Sequence, residues 1–337
     1  MSQSAHTQQH SDFFRVEQYN TARTVCGWQD ISTVGKLMLT GADALDLLQR
    51  LTTNNLSSLH EGQGNQTVLL TEKARIVDVA LVVHRGADIL LMLTREETDT
   101  VRQWLKKYIV MDDVRVRDTT ASISALRVFG PQSALLLNDC TGTDNRENPY
   151  FAPIRRTLFG VDCTIIKLHQ FFEMHYMILC STEHKEQIIE GFRSIESIAE
   201  INQTEYDVLR VEAGVGVIGH EWTDEHNPLE AQLVGLVDFK KGCYIGQEVI
   251  ARLDTYNKVK VRLMGFSADH SIPVGGVFRD DSKDIGVITS SVYSPSLGKH
   301  IALGYIRTGF ANPGTDISLY HNEKQFLVHI EKLPFVV

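Results

Sequence analysis

Lys241-Gly242-Cys243-Tyr244-Ile245-Gly246-Gln247-Glu248 is the centre of the densest concentration of special residues in this sequence, Asp238 to Arg252. It brings lysines 240 and 241, two glycines and one cysteine together within a few positions. A thiol beside ammonium groups can have a lowered pKa, and the thiolate is the form that attacks electrophiles and binds metals. Gly242 would let the backbone approach a ligand closely. On the blander reading Cys243 is a small buried hydrophobe and the lysines are solvated; the residues alone leave both open.

Upstream, Thr40-Gly-Ala-Asp43 with Ala44, Leu47, Leu48 and Leu51 at helical spacing predicts a helix from about Gly41 to Leu51. Thr52-Thr-Asn-Asn55 should turn the chain after it. Ile76 to Val83 and Ile89 to Leu93 read as a hairpin, and Thr94 with Glu97 as the cap of a helix striped by Val101, Trp104, Leu105 and Tyr108. A strand ending at Phe129, a helix opened by Gly130-Pro131, strands near Thr164 to Leu168 and His175 to Cys180, and helices from about Glu183 to Phe192 and Glu205 to Ala213 complete an α+β arrangement. Gly214-Val-Gly216 lacks the third glycine and preceding strand of a dinucleotide loop. After about Lys258, short apolar runs alternate with turn formers such as Asn312-Pro-Gly314, the pattern of a small β-barrel or sandwich. The expected division is a polar leader and first strand region over 1–35, an α+β body over 36–254 and a β domain over 255–337.

The chain has 337 residues, 43% of them hydrophobic, enough for two or three domains with real cores. Its formal charge, 33 − 42 = −9, works against nonspecific nucleic-acid or anionic-membrane binding. Apolar runs such as Val79 to Val83 are far too short to span a bilayer. Met1 to His10 has neither a secretory nor a transit pattern and reads as the polar leader of a cytoplasmic protein. Five cysteines without a C-x-x-C pair give no disulfide framework or zinc site, so at least four are expected to be inert packing residues. No G-x-S-x-G elbow or clustered histidine pair supports a hydrolase or metal site.

The eight residues Lys241 to Glu248 resemble the K-G-C-[FY]-x-G-Q-E signature of the YgfZ family, which is similar in fold to the folate-dependent T-protein (aminomethyltransferase) of the glycine cleavage system. Gly41 to Leu45 leading into Leu48 to Asn54, Leu209-Arg-Val-Glu-Ala-Gly214, and Pro228 with Glu230 and Ala231 resemble the same wider group. The resemblance implies a bilobed α+β, T-protein-like body enclosing a central hole, followed by a small C-terminal β-barrel, with tetrahydrofolate or a derivative as cofactor. It implies folate contacts from Asp78, Glu173, Arg210, Glu212, Tyr244, Gln247 and Glu248, with Arg210 as the clamp on a folate carboxylate, and chemistry from Cys243, Lys241 and Asp78. In T-proteins an acid of a G-x-I-x-D-D-like strand lies near the reactive folate nitrogen; the matching stretch, Ala74-Arg-Ile-Val-Asp78-Val79, keeps one acid of the pair.

The expected function is therefore that of a folate-binding protein that supports assembly or repair of iron–sulfur enzymes and, indirectly, transfer RNA modification. Its expected partners are iron–sulfur proteins or their assembly factors, without direct nucleic-acid or membrane contact. One cysteine is too few to hold a cluster, since common clusters take four protein ligands. The alternatives are a folate-dependent aminomethyltransferase and a folate-free docking scaffold.

Overall fold

Three bodies of β-structure account for the chain: a five-stranded sheet, a six-stranded sheet and a closed six-stranded barrel. The computed structural model describes residues 13–169, 175–256, 258–281 and 283–336. In chain order the elements of the two lobes begin with α1 (Val16–Thr24), β1 (Gly27–Asp30), β2 (Lys36–Thr40), α2 (Ala44–Leu51), β3 (Gln63–Leu70), β4 (Ile76–His84), β5 (Ile89–Met92), α3 (Asp99–Tyr108) and β6 (Arg115–Asp118). They continue with β7 (Ile123–Phe129), α4 (Ser133–Thr141), β8 (Pro153–Leu158), β9 (Val161–Leu168), β10 (His175–Ser181), α5 (Lys185–Arg193), β11 (Ala199–Glu200), α6 (Gln203–Glu212) and α7 (Gln247–Thr255). The barrel comprises β12 (Val261–Ala268), β13 (Val277–Asp280), β14 (Lys283–Ser294), β15 (Lys299–Arg307), β16 (Asp316–His321) and β17 (Lys324–Glu331).

The first lobe has strand order β3-β4-β5-β2-β6. The predicted stripes of α2 and α3, Leu47, Leu48 and Leu51 with Val101, Trp104 and Leu105, bury together against one of its faces. The second lobe, ordered β11-β1-β7-β10-β9-β8, buries Ala134 and Leu137 of α4 and Ile188, Ile189 and Phe192 of α5 against its own outer face. The inner faces of the two sheets meet through Leu81, Val83, Leu90 and Met92 from one side and Ala125, Ile166, Leu168 and Leu179 from the other. This accounts for the nearly unbroken apolar run of β4, which is buried on both faces.

The expected first strand region holds a helix as well as a strand. Residues 16–24 form α1, and β1 pairs with β7 and, in parallel, with β11, so this region belongs to the second lobe. Met1 to His10 lies outside the described residues. The helix expected to start at Thr94 starts instead after Thr98, because Thr94 is drawn to Asp78. Gly214, with φ +70°, ends α6 as its position implies.

Candidate functional site

A cavity of roughly 760 Å³ opens where both lobes and the C-terminal tail meet. One wall is β4 and β5 with Val79, Leu81 and Met92, and the opposite wall is Leu168, His169 and Met177. Ala213, Val215, Trp222, Leu233 and Leu236 close the side, and Pro334 and Val336 from beyond the barrel complete it. Its size is in the range that holds a cofactor, with a mostly apolar surface and few polar points. The polar points are Gln66, Thr94, the His169 imidazole and the Trp222 indole, whose Nε1–H is buried without an acceptor. A flat heteroaromatic ring with hydrogen-bonding edges, such as a pterin, fits that combination. His169, stacked on Tyr150 at 3.4 Å, is the only titratable side chain among the described lining residues, and burial lowers its pKa.

The β4 lining of this cavity begins at Val79 and runs on through Ala80 and Leu81. Val79 lines it, whereas Asp78 is fully buried in another direction. The Asp78 carboxylate accepts from the Thr94 hydroxyl at 2.5 Å, the Val79 N–H at 2.7 Å and Arg95 Nε at 2.8 Å. Burial pushes its pKa up, and Thr94 and Arg95 oppose that push. Asp78, expected at the ligand, is thus bonded to the lining residue Thr94 without lining the cavity itself.

The signature stretch is held by its own residues. Lys241 Nζ donates to the carbonyls of Gln49, Thr52 and Asn54 at 2.7–2.8 Å, at the end of α2 where unpaired carbonyls favour a cation. Burial lowers its pKa to about 8. The Ile245 N–H donates to Arg50, and the Gln247 side chain accepts from the Tyr244 N–H. Gly246 has φ +78°, and a Cβ there would lie 2.9 Å from the Thr71 carbonyl oxygen. Lys241, Tyr244 and Gln247 therefore build the loop, and none of them lines the cavity.

Cys243 and Glu248 are left exposed, and a Cβ at Gly242 would meet nothing within 4 Å. The other thiols differ. Burial pushes Cys26 and Cys163 up to about 12 and Cys180 up to about 11, and raises half-buried Cys140. Among the described residues no group of three or more His, Cys, Asp or Glu side chains could hold a metal ion.

Arg210, expected as a carboxylate clamp, does not line this cavity. Its guanidinium is buried between α6 and the barrel, bonding Asp207 at 2.5 Å, Glu221 at 3.3 Å and the Ser290 hydroxyl at 3.0 Å. Glu212, two residues further along α6, accepts from Tyr19, Arg23 and Ser294. The two are thus separate ties between α6 and its neighbours, as i and i+2 on a continuing helix must be. Glu173 lies outside the described residues. The lining residues His169, Trp222 and Met177 were not singled out from the sequence; only the stretch from Leu168 to Glu173 pointed to one of them.

Comparison with known proteins agrees with this architecture. Residues 5–241 match the GCVT N-terminal domain and residues 262–336 the glycine cleavage T-protein C-terminal barrel domain. An aminomethyltransferase of Desulforamulus reducens is 26% identical over 330 residues, covering 95% of this chain and 89% of that protein. One from Synechocystis is 28% identical over 332 residues, covering 95% and 87%. A putative chloroplastic transferase of Arabidopsis thaliana is 30% identical over 296 residues, covering 86% and 67%. The crystal structure of the glycine cleavage system aminomethyltransferase T from Bartonella henselae superposes with a TM-score of 0.83 at 22% identity, covering 95% of this chain and 89% of that one, which shows the shared fold. These names carry aminomethyl or other transfer, and none mentions iron–sulfur clusters or transfer RNA. No helix among the described residues is long and apolar enough to cross a membrane.

Proposed function

The chain belongs to the glycine cleavage T-protein family, and from that premise we propose that its central cavity binds a tetrahydrofolate. The cavity carries this reading: its volume, apolar walls and the polar points Gln66, Thr94, His169 and Trp222 suit a pterin held on its edges. Bound there, the folate would supply the carrier for a one-carbon unit, while this chain's residues orient it and exclude water.

Two finer readings divide at β4. The names of the relatives favour folate-dependent aminomethyl transfer. That chemistry calls for an acid at the folate nitrogen, and the wall position offers Val79 with Asp78 locked behind it. The iron–sulfur reading draws on the other observation: Cys243 stands in open space on a pinned loop, with the large apolar side chains Phe239 and Val249 also exposed nearby. On that reading Cys243 is the reactive thiol presented to a client iron–sulfur protein or assembly factor, in the cytoplasm, and any effect on transfer RNA is indirect.

Calorimetric titration with tetrahydrofolate tests the common premise, with micromolar affinity, about −8 kcal/mol, expected. Absence of binding would remove both readings. Given binding, an assay with an aminomethyl-loaded lipoyl carrier separates them: release of ammonia with formation of methylene-tetrahydrofolate establishes transfer. Loss of cluster-enzyme activity in cells carrying Cys243→Ser, without such turnover, supports the iron–sulfur role.

A further inference from the structure

The described lining of the cavity holds no lysine or arginine, yet a folate ends in a glutamate whose carboxylates need a cationic partner. With Arg210 engaged by Asp207 and Glu221 and Arg95 by Asp78, a further cation lies on the second lobe's sheet. Arg127 on β7 stands opposite Met177 on β10, a cavity-lining residue, and opposite Gln29 on β1. Cross-strand partners share a face with Cβ atoms about 5 Å apart, so Arg127 borders the cavity wall.

The chemistry around Arg127 is incomplete. Its guanidinium lies 3.8 Å from the centre of the Tyr206 ring and makes a side-chain hydrogen bond with Tyr206, but its buried Nε has no hydrogen-bond partner. Among the described residues it forms no ion pair, and Asp207, the acid whose field it feels, is engaged by Arg210. Gln29 is only 8% exposed; its Oε1 has no partner and its Nε2 makes one long 3.5 Å contact to Gln203. Burial, with Arg127 nearby, pushes His175 down to about 3, so this neighbour adds no second charge at neutral pH. A buried cation without a counter-charge is costly, and so is a buried amide oxygen without a donor. Two such neighbours beside a ligand-sized cavity have the form of a half-made site whose other half is the ligand's.

We propose that Arg127, assisted by Gln29, is the carboxylate anchor of the cavity and takes the glutamyl end of a reduced folate, an inference that rests on the folate reading above. The guanidinium fork suits a carboxylate, and rotation of the Gln29 amide would offer its Nε2 to the same group. The site would then discriminate between folates that carry the glutamyl tail and pterins that lack it.

The test is calorimetry with three probes, tetrahydrofolate, tetrahydropteroate and 6-methyltetrahydropterin, on the wild type, Arg127→Gln and Arg127→Lys. Wild type should bind tetrahydrofolate roughly 10- to 100-fold more tightly than tetrahydropteroate, the loss expected for a charge-assisted hydrogen-bonded pair. Arg127→Gln should abolish that difference and leave 6-methyltetrahydropterin binding unchanged, with Arg127→Lys intermediate. Wild-type protein that binds tetrahydropteroate as tightly as tetrahydrofolate overturns the anchor even should the variants not fold, and so does Arg127→Gln that retains the full difference. Failure of the wild type to bind any of the three would instead overturn the folate reading itself.

Discussion

Asp78 and Val79 are neighbours on β4 with opposite tasks: Val79 forms the cavity wall, and Asp78 ties Arg95 and Thr94 into the sheet behind it. Replacing Asp78 by Ala strands Arg95, whose side chain is 19% exposed, beside an empty site. A loss of about 3 kcal/mol is expected in urea unfolding, with Asp78→Asn less severe. Tetrahydrofolate affinity of the folded Asn variant should stay within about twofold, because this carboxylate is engaged by Val79, Thr94 and Arg95 and does not line the cavity.

Arg210→Ala should act as a stability mutation. It leaves the fully buried Glu221 with only the Thr289 and Ser290 hydroxyls and the Val217 N–H. Unfolding experiments should show a cost of about 3–5 kcal/mol. Folate binding below the melting temperature should be unaffected, in contrast to Arg127→Gln.

Within the signature, structure and exposure separate cleanly. Lys241→Met leaves three carbonyls at the end of α2 without their donor and should lower stability by about 2 kcal/mol. Cys243→Ser, at an exposed position, should change stability by less than about 0.5 kcal/mol. Thermal melts of the two variants check both. An unstable Cys243→Ser protein would show that the thiol packs in solution.

His175 gives the pH dependence a sign. Its folded-state pKa lies near 3, below the usual 6.5, because it is buried. As the pH falls below 6.5 the unfolded chain takes up a proton that the folded one refuses until about pH 3, so stability drops, by up to about 1.4 kcal/mol per pH unit. Urea midpoints between pH 7 and 4 should fall more steeply for the wild type than for His175→Gln.

Legibility in the sequence follows the range of the interactions. The stripes of α2 and α3 are visible because one-sided burial repeats every 3.6 residues, and the barrel because strands alternate with turns at short intervals. Helix α1 escapes notice because only Tyr19 and Ala22 of its nine residues are buried, and α7 because it buries only Ile250. Site residues are harder still. That Arg210 is engaged by Glu221 and Ser290 depends on a barrel strand 80 residues away, and that Arg127 stands beside Met177 depends on strand register. Neither relation leaves a local pattern, so the role that the resemblance implies for Arg210 comes without the packing around it.

The last stretch of chain adds a further consequence. After the barrel closes, the Phe335 and Val336 N–H groups both donate to the Glu212 carbonyl, laying Pro334 and Val336 along the cavity. The pocket is therefore a joint possession of segments more than a hundred positions apart. An occupied pocket would hold this stretch in place, so its protection from proteolysis would report occupancy without a labelled ligand.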